Sequence, residues 1–234
     1  MRLFKRLIIM AFLIGITIVG FYTYQGYEMY KDALNETTIE KRVQELKSDE
    51  NYTNIEKLPD MYKNAVIAVE DHRFYEHGAI DFISIGRAIY TNIKEKDLIE
   101  GGSTITQQVA KNIYFTQEKK LVRKIAEIFM AFELENELTK DEIFELYVNT
   151  SYFGDGYYNI KEASNGYFDK EPIEINDYEA TLLAGIPNAP SIYAPTKNPE
   201  LARQRQEQVI FKLVKYNYIT EEYADEILEE EYEF

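Results

Sequence analysis

An uninterrupted apolar run, LIIMAFLIGITIVGFY at residues 7–22, follows Arg2, Lys5 and Arg6. At roughly 16–18 residues it nearly crosses a bilayer as a tilted or slightly short helix. That constraint sets the plan of the chain, because everything after such a helix must fold on one side of a membrane. The basic residues on its amino side place the N-terminus in the cytoplasm and the body outside. A cleaved signal peptide is the rival reading. No small-x-small cleavage site follows the run, and Phe21, Tyr22 and Tyr24 read as an interfacial aromatic belt, so an uncleaved anchor is expected. The chain therefore divides into a cytoplasmic tip and transmembrane anchor (1–24), a charged and polar stalk (25–57) and a folded body (58–234).

With 234 residues, 45% of them hydrophobic, the body can bury one sizeable core. The formal charge of −15 makes nucleic acid a poor partner, and none is expected, since a phosphate backbone needs a basic surface. Any anionic ligand must then meet a local basic pocket. The absence of cysteine removes disulfides, thiolate metal sites and a cysteine nucleophile, and is compatible with an extracytoplasmic body. From Pro59 onward helical signals dominate. Thr139 with Glu142, and Asn176 with Glu179, are capping pairs, and Asn198–Pro199 starts a helix with proline at its first position. Alternating strand patterns are scarce, so the expected fold is mostly α.

Within the body, residues 101–112 read GGSTITQQVAKN. Thr104 and Gln107 form a capping box that starts a helix at Ile105. Ile105, Val109 and Ile113 make its buried stripe, while Gln107 and Lys111 share the opposite, polar face. Taken alone this is an ordinary capped amphipathic helix. Four more segments accompany it: EDHRFYEHGAID (70–81), RKIAEIFMAFELE (123–135), KDEIFELYVNTSYFGDG (140–156) and LLAGIPNAPSIYAP (182–195). Glu70 ends the apolar run 65–69, where partial desolvation makes a carboxylate a better base. On composition the simpler reading is a surface charge cluster of Glu70, Asp71 and Arg73, worth little. Arg123 and Glu127, four apart, similarly read as an ion pair along one helix face.

In series, from about residue 59 to 210, these segments resemble the peptidoglycan glycosyltransferases, the transglycosylases that polymerise lipid II. The resemblance implies a lysozyme-like helical lobe with a smaller membrane-associated lobe between the first two motifs. Phe82, Ile83, Ile85, Ala88, Ile89, Tyr90 and Ile93 are concentrated there. By itself such a stripe is core; exposed, it would receive acyl chains.

The resemblance also assigns roles. Glu70 is the general base, and Arg73 and Phe74 line the same cleft. Ser103, Gln107, Gln108 and Asn112 hydrogen-bond sugar and phosphate. Lys111, Lys119, Arg123 and Lys124 are close to one another in sequence, so the donor diphosphate is neutralised by these side chains, by a metal, or by both. Glu127 is the second catalytic acid, placed toward the diphosphate to hold a metal or to order the donor; as metal ligand it would hold a hard divalent cation, Mg2+ or Mn2+, since only oxygen ligands are on offer. His77 is architectural, Lys140, Glu145 and Asn149 support the cleft, Tyr152, Gly154 and Gly156 form a turn at its edge, and Pro187, Pro190 and Pro195 form a wall. This sequence departs from the family pattern at Gly78–Ala79, at Asn159 where glycine is usual, and at Ala194 in place of an asparagine.

The activity so implied is inverting formation of β-1,4 glycan strands from lipid II and a lipid-linked glycan chain, with release of undecaprenyl diphosphate at a bacterial membrane. Other cell-wall synthesis proteins are candidate partners. The chain ends after an acidic helix, so a monofunctional enzyme is expected. The rivals are a lysozyme-like lytic enzyme, which needs no diphosphate pocket, and a catalytically silent cell-wall scaffold, which needs neither glutamate.

Overall fold

The computed structural model describes residues 2–95, 101–115 and 120–230. Within them the chain is helical, with no strand among the described residues. The first helix, α1 (Arg2–Glu36), runs well past the apolar segment. Its 35 residues span about 52 Å. It is the one described helix long and apolar enough to cross a membrane, and its apolar part is exposed.

The far end of α1 is packed on α6 (Lys120–Glu137). Gly26 lets the two helices meet: a Cβ there would lie 2.5 Å from Ile125 Cγ2 and 3.1 Å from the Val122 carbonyl oxygen. One turn on, Tyr27 and Tyr30 pack on Phe129 at 5.4 and 5.9 Å between ring centroids, and the Tyr30 hydroxyl donates to Glu133 at 3.1 Å.

The stretch expected to be a stalk is therefore part of the body. Ile39, at the start of α2 (Ile39–Lys47), is buried in the main core, as is Leu58. Between them the backbone is held by α7 (Lys140–Thr150). Glu145 accepts from the Tyr52 hydroxyl and the Ile55 N–H, both at 2.8 Å. Asn149 accepts from Thr53 N–H and donates to Thr53 C=O, also at 2.8 Å. A polar segment can be docked when its backbone finds partners elsewhere, and these partners lie some 90 residues away in sequence.

The core is built on α3 (Asp60–Glu70), α5 (Ile105–Tyr114), α9 (Asp177–Gly185) and α11 (Pro199–Lys215), together with α6 and α7. α3 packs against α9 and α11, and α5 against α6 and α7. α9 is buried on every side from Tyr178 to Gly185, the mark of a central helix. The expected capping boxes close α7 (Thr139 with Glu142) and α9 (Asn176 with Glu179), and Pro199 opens α11. Asn159, at the position where glycine is usual, caps α8 (Ile160–Phe168) by accepting from Glu162 N–H at 2.8 Å. Ala194, the other departure, is fully buried, and its methyl stands 3.0 Å from where a Cβ on Gly154 would lie. Gly154 and Gly156 adopt φ of 83° and 92°, so the expected turn is there.

α4 (Phe82–Glu95) stands apart from this core. Phe82, Ile83, Ile89, Tyr90 and Ile93 are all exposed, between 55% and 76%, while Ala88 is buried. The reading of this stripe as plain core fails at those five positions.

Candidate active site

α3 ends at Glu70, and the loop that follows is tied to the start of α5. Asp71 accepts from the Ile105 N–H at 3.0 Å through Oδ2 and contacts His77 Nε2 at 2.7 Å through Oδ1. The other ring nitrogen, Nδ1, lies 2.6 Å from the Gly78 carbonyl. Burial alone would lower the His77 pKa, but the Asp71 carboxylate and this carbonyl outweigh it, and the net shift is upward. With acceptors at both nitrogens, His77 is a clamp and not a cleft residue. The Ala79 carbonyl completes the tie, accepting from Thr104 Oγ1 at 3.0 Å and Gln107 Nε2 at 3.1 Å.

Glu70 and Glu127 open into one cavity of about 270 Å³, lined also by Ser103, Gln108, Lys111, Lys124 and Asn188. Glu70 Oε2 accepts from Gln108 Nε2 at 2.8 Å, and Oε1 lies 3.7 Å from an Arg205 guanidinium nitrogen. The Glu70 side chain is 8% exposed. Glu127 pairs with Arg123 Nε at 2.9 Å and Lys124 Nζ at 3.2 Å, one cation to each carboxylate oxygen. Lys124 also donates to Ser103 Oγ at 2.7 Å. Burial lowers the Lys111 pKa; Glu127 pulls it back up, while Arg123 and Lys124 push it down again, for a net fall.

Of the residues expected at the site, Glu70, Glu127, Ser103, Gln108 and Lys111 meet here, with Arg123 one layer behind Glu127. Others lie elsewhere. Phe74 is fully buried in the core beneath Lys140, whose Nζ is 4.4 Å from the ring centroid, so it does not line the cleft. Arg73 turns away toward Glu76 and Asp81, each at 3.5 Å. Gln107 touches the cavity, but it is 3% exposed and its amide is spent on Ala79, so it is not on a polar outer face. The box expected with Thr104 is half formed: Thr104 caps Gln107 N–H, and the glutamine side chain goes to Ala79 instead. Asn112 is exposed on α5 and does not line the cavity. Lys119 lies outside the described residues.

Sequence reasoning missed Arg205, which reaches Glu70 from α11 and donates to the Gly185 carbonyl at 3.3 Å. Gly185 leaves room for its stem, since a Cβ there would sit 2.9 Å from Arg205 Cγ. Nothing local marks an arginine on an amphipathic helix as the neighbour of a carboxylate so far away in sequence.

The expected divalent metal fits these residues poorly. Both oxygens of Glu127 already face cations, and a dication brought to it would be set against Arg123 and Lys124. Among the described residues, the one group of carboxylates and histidine close enough to hold a metal is Asp71, His77 and Asp81. There His77 is clamped by Asp71, and Asp81 caps α4 through Ile83 and Ser84 N–H at 2.9 and 3.1 Å.

A helical body that lines one small cavity with carboxylates, two lysines and several hydroxyl and amide groups defines a class of protein suited to an anionic ligand rich in hydroxyls. Residues 35–214 match the family model described as Transglycosylase, and the chain belongs to that family. It is 44% identical to Penicillin-binding protein 1F of Bacillus subtilis (strain 168) over 167 residues, 71% of this chain and 23% of that protein. It is 42% identical to Penicillin-binding protein 1A of Neisseria gonorrhoeae over 180 residues, 77% of this chain and 23% of that protein. The crystal structure of Penicillin-Binding Protein 1A from Haemophilus influenzae aligns over 78% of this chain and 18% of that chain, with a TM-score of 0.47 and 19% identity. The chain thus spans about a quarter of the length of these curated relatives.

Proposed function

We propose that this chain is a peptidoglycan glycosyltransferase that joins lipid II to a lipid-linked glycan chain through β-1,4 bonds, with its N-terminus in the cytoplasm and its body outside. The observation that carries the reading is the single cavity lined by Glu70 together with Lys111 and Lys124. As the acceptor 4-hydroxyl attacks the donor anomeric carbon, its proton passes to Glu70. The bond from that carbon to the diphosphate breaks, and the electron pair leaves with undecaprenyl diphosphate. Gln108 orients the carboxylate. In this reading Lys111 and Lys124 take up the leaving charge, with Ser103 and Asn188 as hydrogen-bonding neighbours in the same cavity. Glu127 holds Arg123 and Lys124 in place rather than a metal. One base and one displacement give inversion.

A lytic enzyme would have no use for two lysines in the same cavity as its carboxylate. The test is to give the purified full chain lipid II and follow the products on a gel. Glycan strands are expected, while cleavage of preformed peptidoglycan without polymerisation would establish the lytic reading in its place. Adding a chelator should leave polymerisation largely intact; complete and metal-reversible loss would restore the metal site. Other cell-wall synthesis proteins remain candidate partners for the exposed surface.

A further inference from the structure

An open groove of about 650 Å³ is lined by α1 from Tyr24 to Glu36, by Tyr114 and Phe115 at the end of α5, and by Val122 of α6. It shares no lining residue with the candidate active site. The stretch of α1 along it is about 18 Å long. The groove is preformed, because the close approach of Gly26 to Ile125 and the packing of Tyr30 on Phe129 already fix α1 against α6.

On α1, Glu28, Asp32 and Glu36 recur every four residues and form one row down the helix. Acidic side chains on a surface helix are ordinary in a chain of net charge −15. These three differ in two ways. Among the described residues none of them has an ion-pair partner: Lys31, in the same stretch, lies over the Tyr27 ring at 5.7 Å, and Arg42, over the Tyr114 ring, pairs with Glu45 at 3.2 Å. The row also borders apolar surface, with Met29 and Ala33 interleaved on α1 and Phe115 and Val122 lining the same groove.

We propose that this groove docks a helix of another membrane protein, an amphipathic segment with Lys or Arg at every fourth position that directly follows a membrane span. The groove begins at Tyr24, just past the apolar run 7–22, whose side chains are exposed. A partner span lying beside that run would carry its next turns into the groove. About twelve helical residues fill the 18 Å length. Basic residues at four-residue spacing then meet the three acids in turn, while the apolar residues between them cover Met29, Ala33 and Phe115. Lipid phosphates do not suit the row, since three carboxylates repel them.

The test places the full chain in phosphatidylcholine nanodiscs with a fluorescent probe peptide, a leucine–alanine membrane span followed by a helix with lysine at three such positions. The chain has no cysteine, so a dye on Glu40→Cys reads binding by energy transfer. The lysine probe should bind saturably. A probe with glutamate at the same positions should bind at least about tenfold more weakly, the scale of three exposed ion pairs. Glu28→Lys, Asp32→Lys and Glu36→Lys together should reverse that preference. Ala33→Trp, which fills the groove and keeps the acids, should weaken the lysine probe by a similar factor. Equal binding of the two probes, a preference that the charge swap does not reverse, or full binding by Ala33→Trp would each overturn the assignment. So would self-association without probe that the charge swap abolishes, because a second copy would then be the occupant. Melting curves separate these outcomes from unfolding. The charge swap, at half-buried and exposed positions, decides the matter if Ala33→Trp does not fold.

Discussion

Lys111 is under opposing demands, because burial works against its charge while the proposed donor diphosphate would require it. Its pKa is depressed, so the protonated form is lost as pH rises through a value below the ordinary lysine figure of about 10.4. Activity should therefore fall on an alkaline limb. Lys111→Arg, whose charge persists beyond about pH 12, should move that limb upward in a pH profile of kcat/KM, even if the maximum is lower. A limb that stays in place would assign it to another group. Which residues of this kind could be seen in the sequence depended on how local their roles are. Lys111, Ser103 and Gln108 stand in one short motif, and a helix starting at Ile105 was legible from Thr104. Phe74 and Arg73 sit three or four positions from Glu70 in sequence, yet the turn after α3 sends one into the core and the other to Asp81. Proximity along the chain did not become proximity in space.

Among the elements, α6 has two jobs. One face carries Arg123, Lys124 and Glu127 toward the cavity, and another receives α1 at Val122, Ile125 and Phe129. Gly26→Leu should prise α1 from α6, at a cost of about 1–3 kcal/mol for overpacking, seen as a lower Tm together with lower activity. An unchanged Tm would show that α1 is not held there. α4 poses the opposite case, a helix whose apolar side chains at Phe82, Ile83, Ile89, Tyr90 and Ile93 are exposed. Replacing Phe82 and Ile93 by serine should leave Tm within about 1 °C, because exposed positions contribute little packing. It should lower activity on substrate in vesicles more than on substrate in detergent. Equal activity in both would remove the membrane role of this helix. The amphipathic pattern of α4 was plain in the sequence, but periodicity locates a stripe without saying what covers it. The stalk was misread for a related reason: the partners of residues 47–55 are Glu145 and Asn149, far along the chain.

At the scale of the whole molecule, α1 is one continuous helix from the apolar segment to the body, so the cleft is set at a fixed height above whatever membrane the segment occupies. Both proposed substrates are lipids, and such an arrangement presents Glu70 to molecules confined to a plane. The mostly helical class and the order of the motifs were legible because caps and helical periodicity are local signals. The joining of α3, α5, α6 and α11 around one carboxylate was not, since it depends on contacts between distant helices. The central claim is that Glu70 takes the proton while Lys111 and Lys124, which line the same cavity, receive the diphosphate. The most direct measurement is the rate of lipid II polymerisation by Glu70→Gln beside its melting curve. The account expects a loss of about 10²–10⁴-fold or more at an essentially unchanged Tm. Polymerisation at the wild-type rate by a folded Glu70→Gln protein would contradict it.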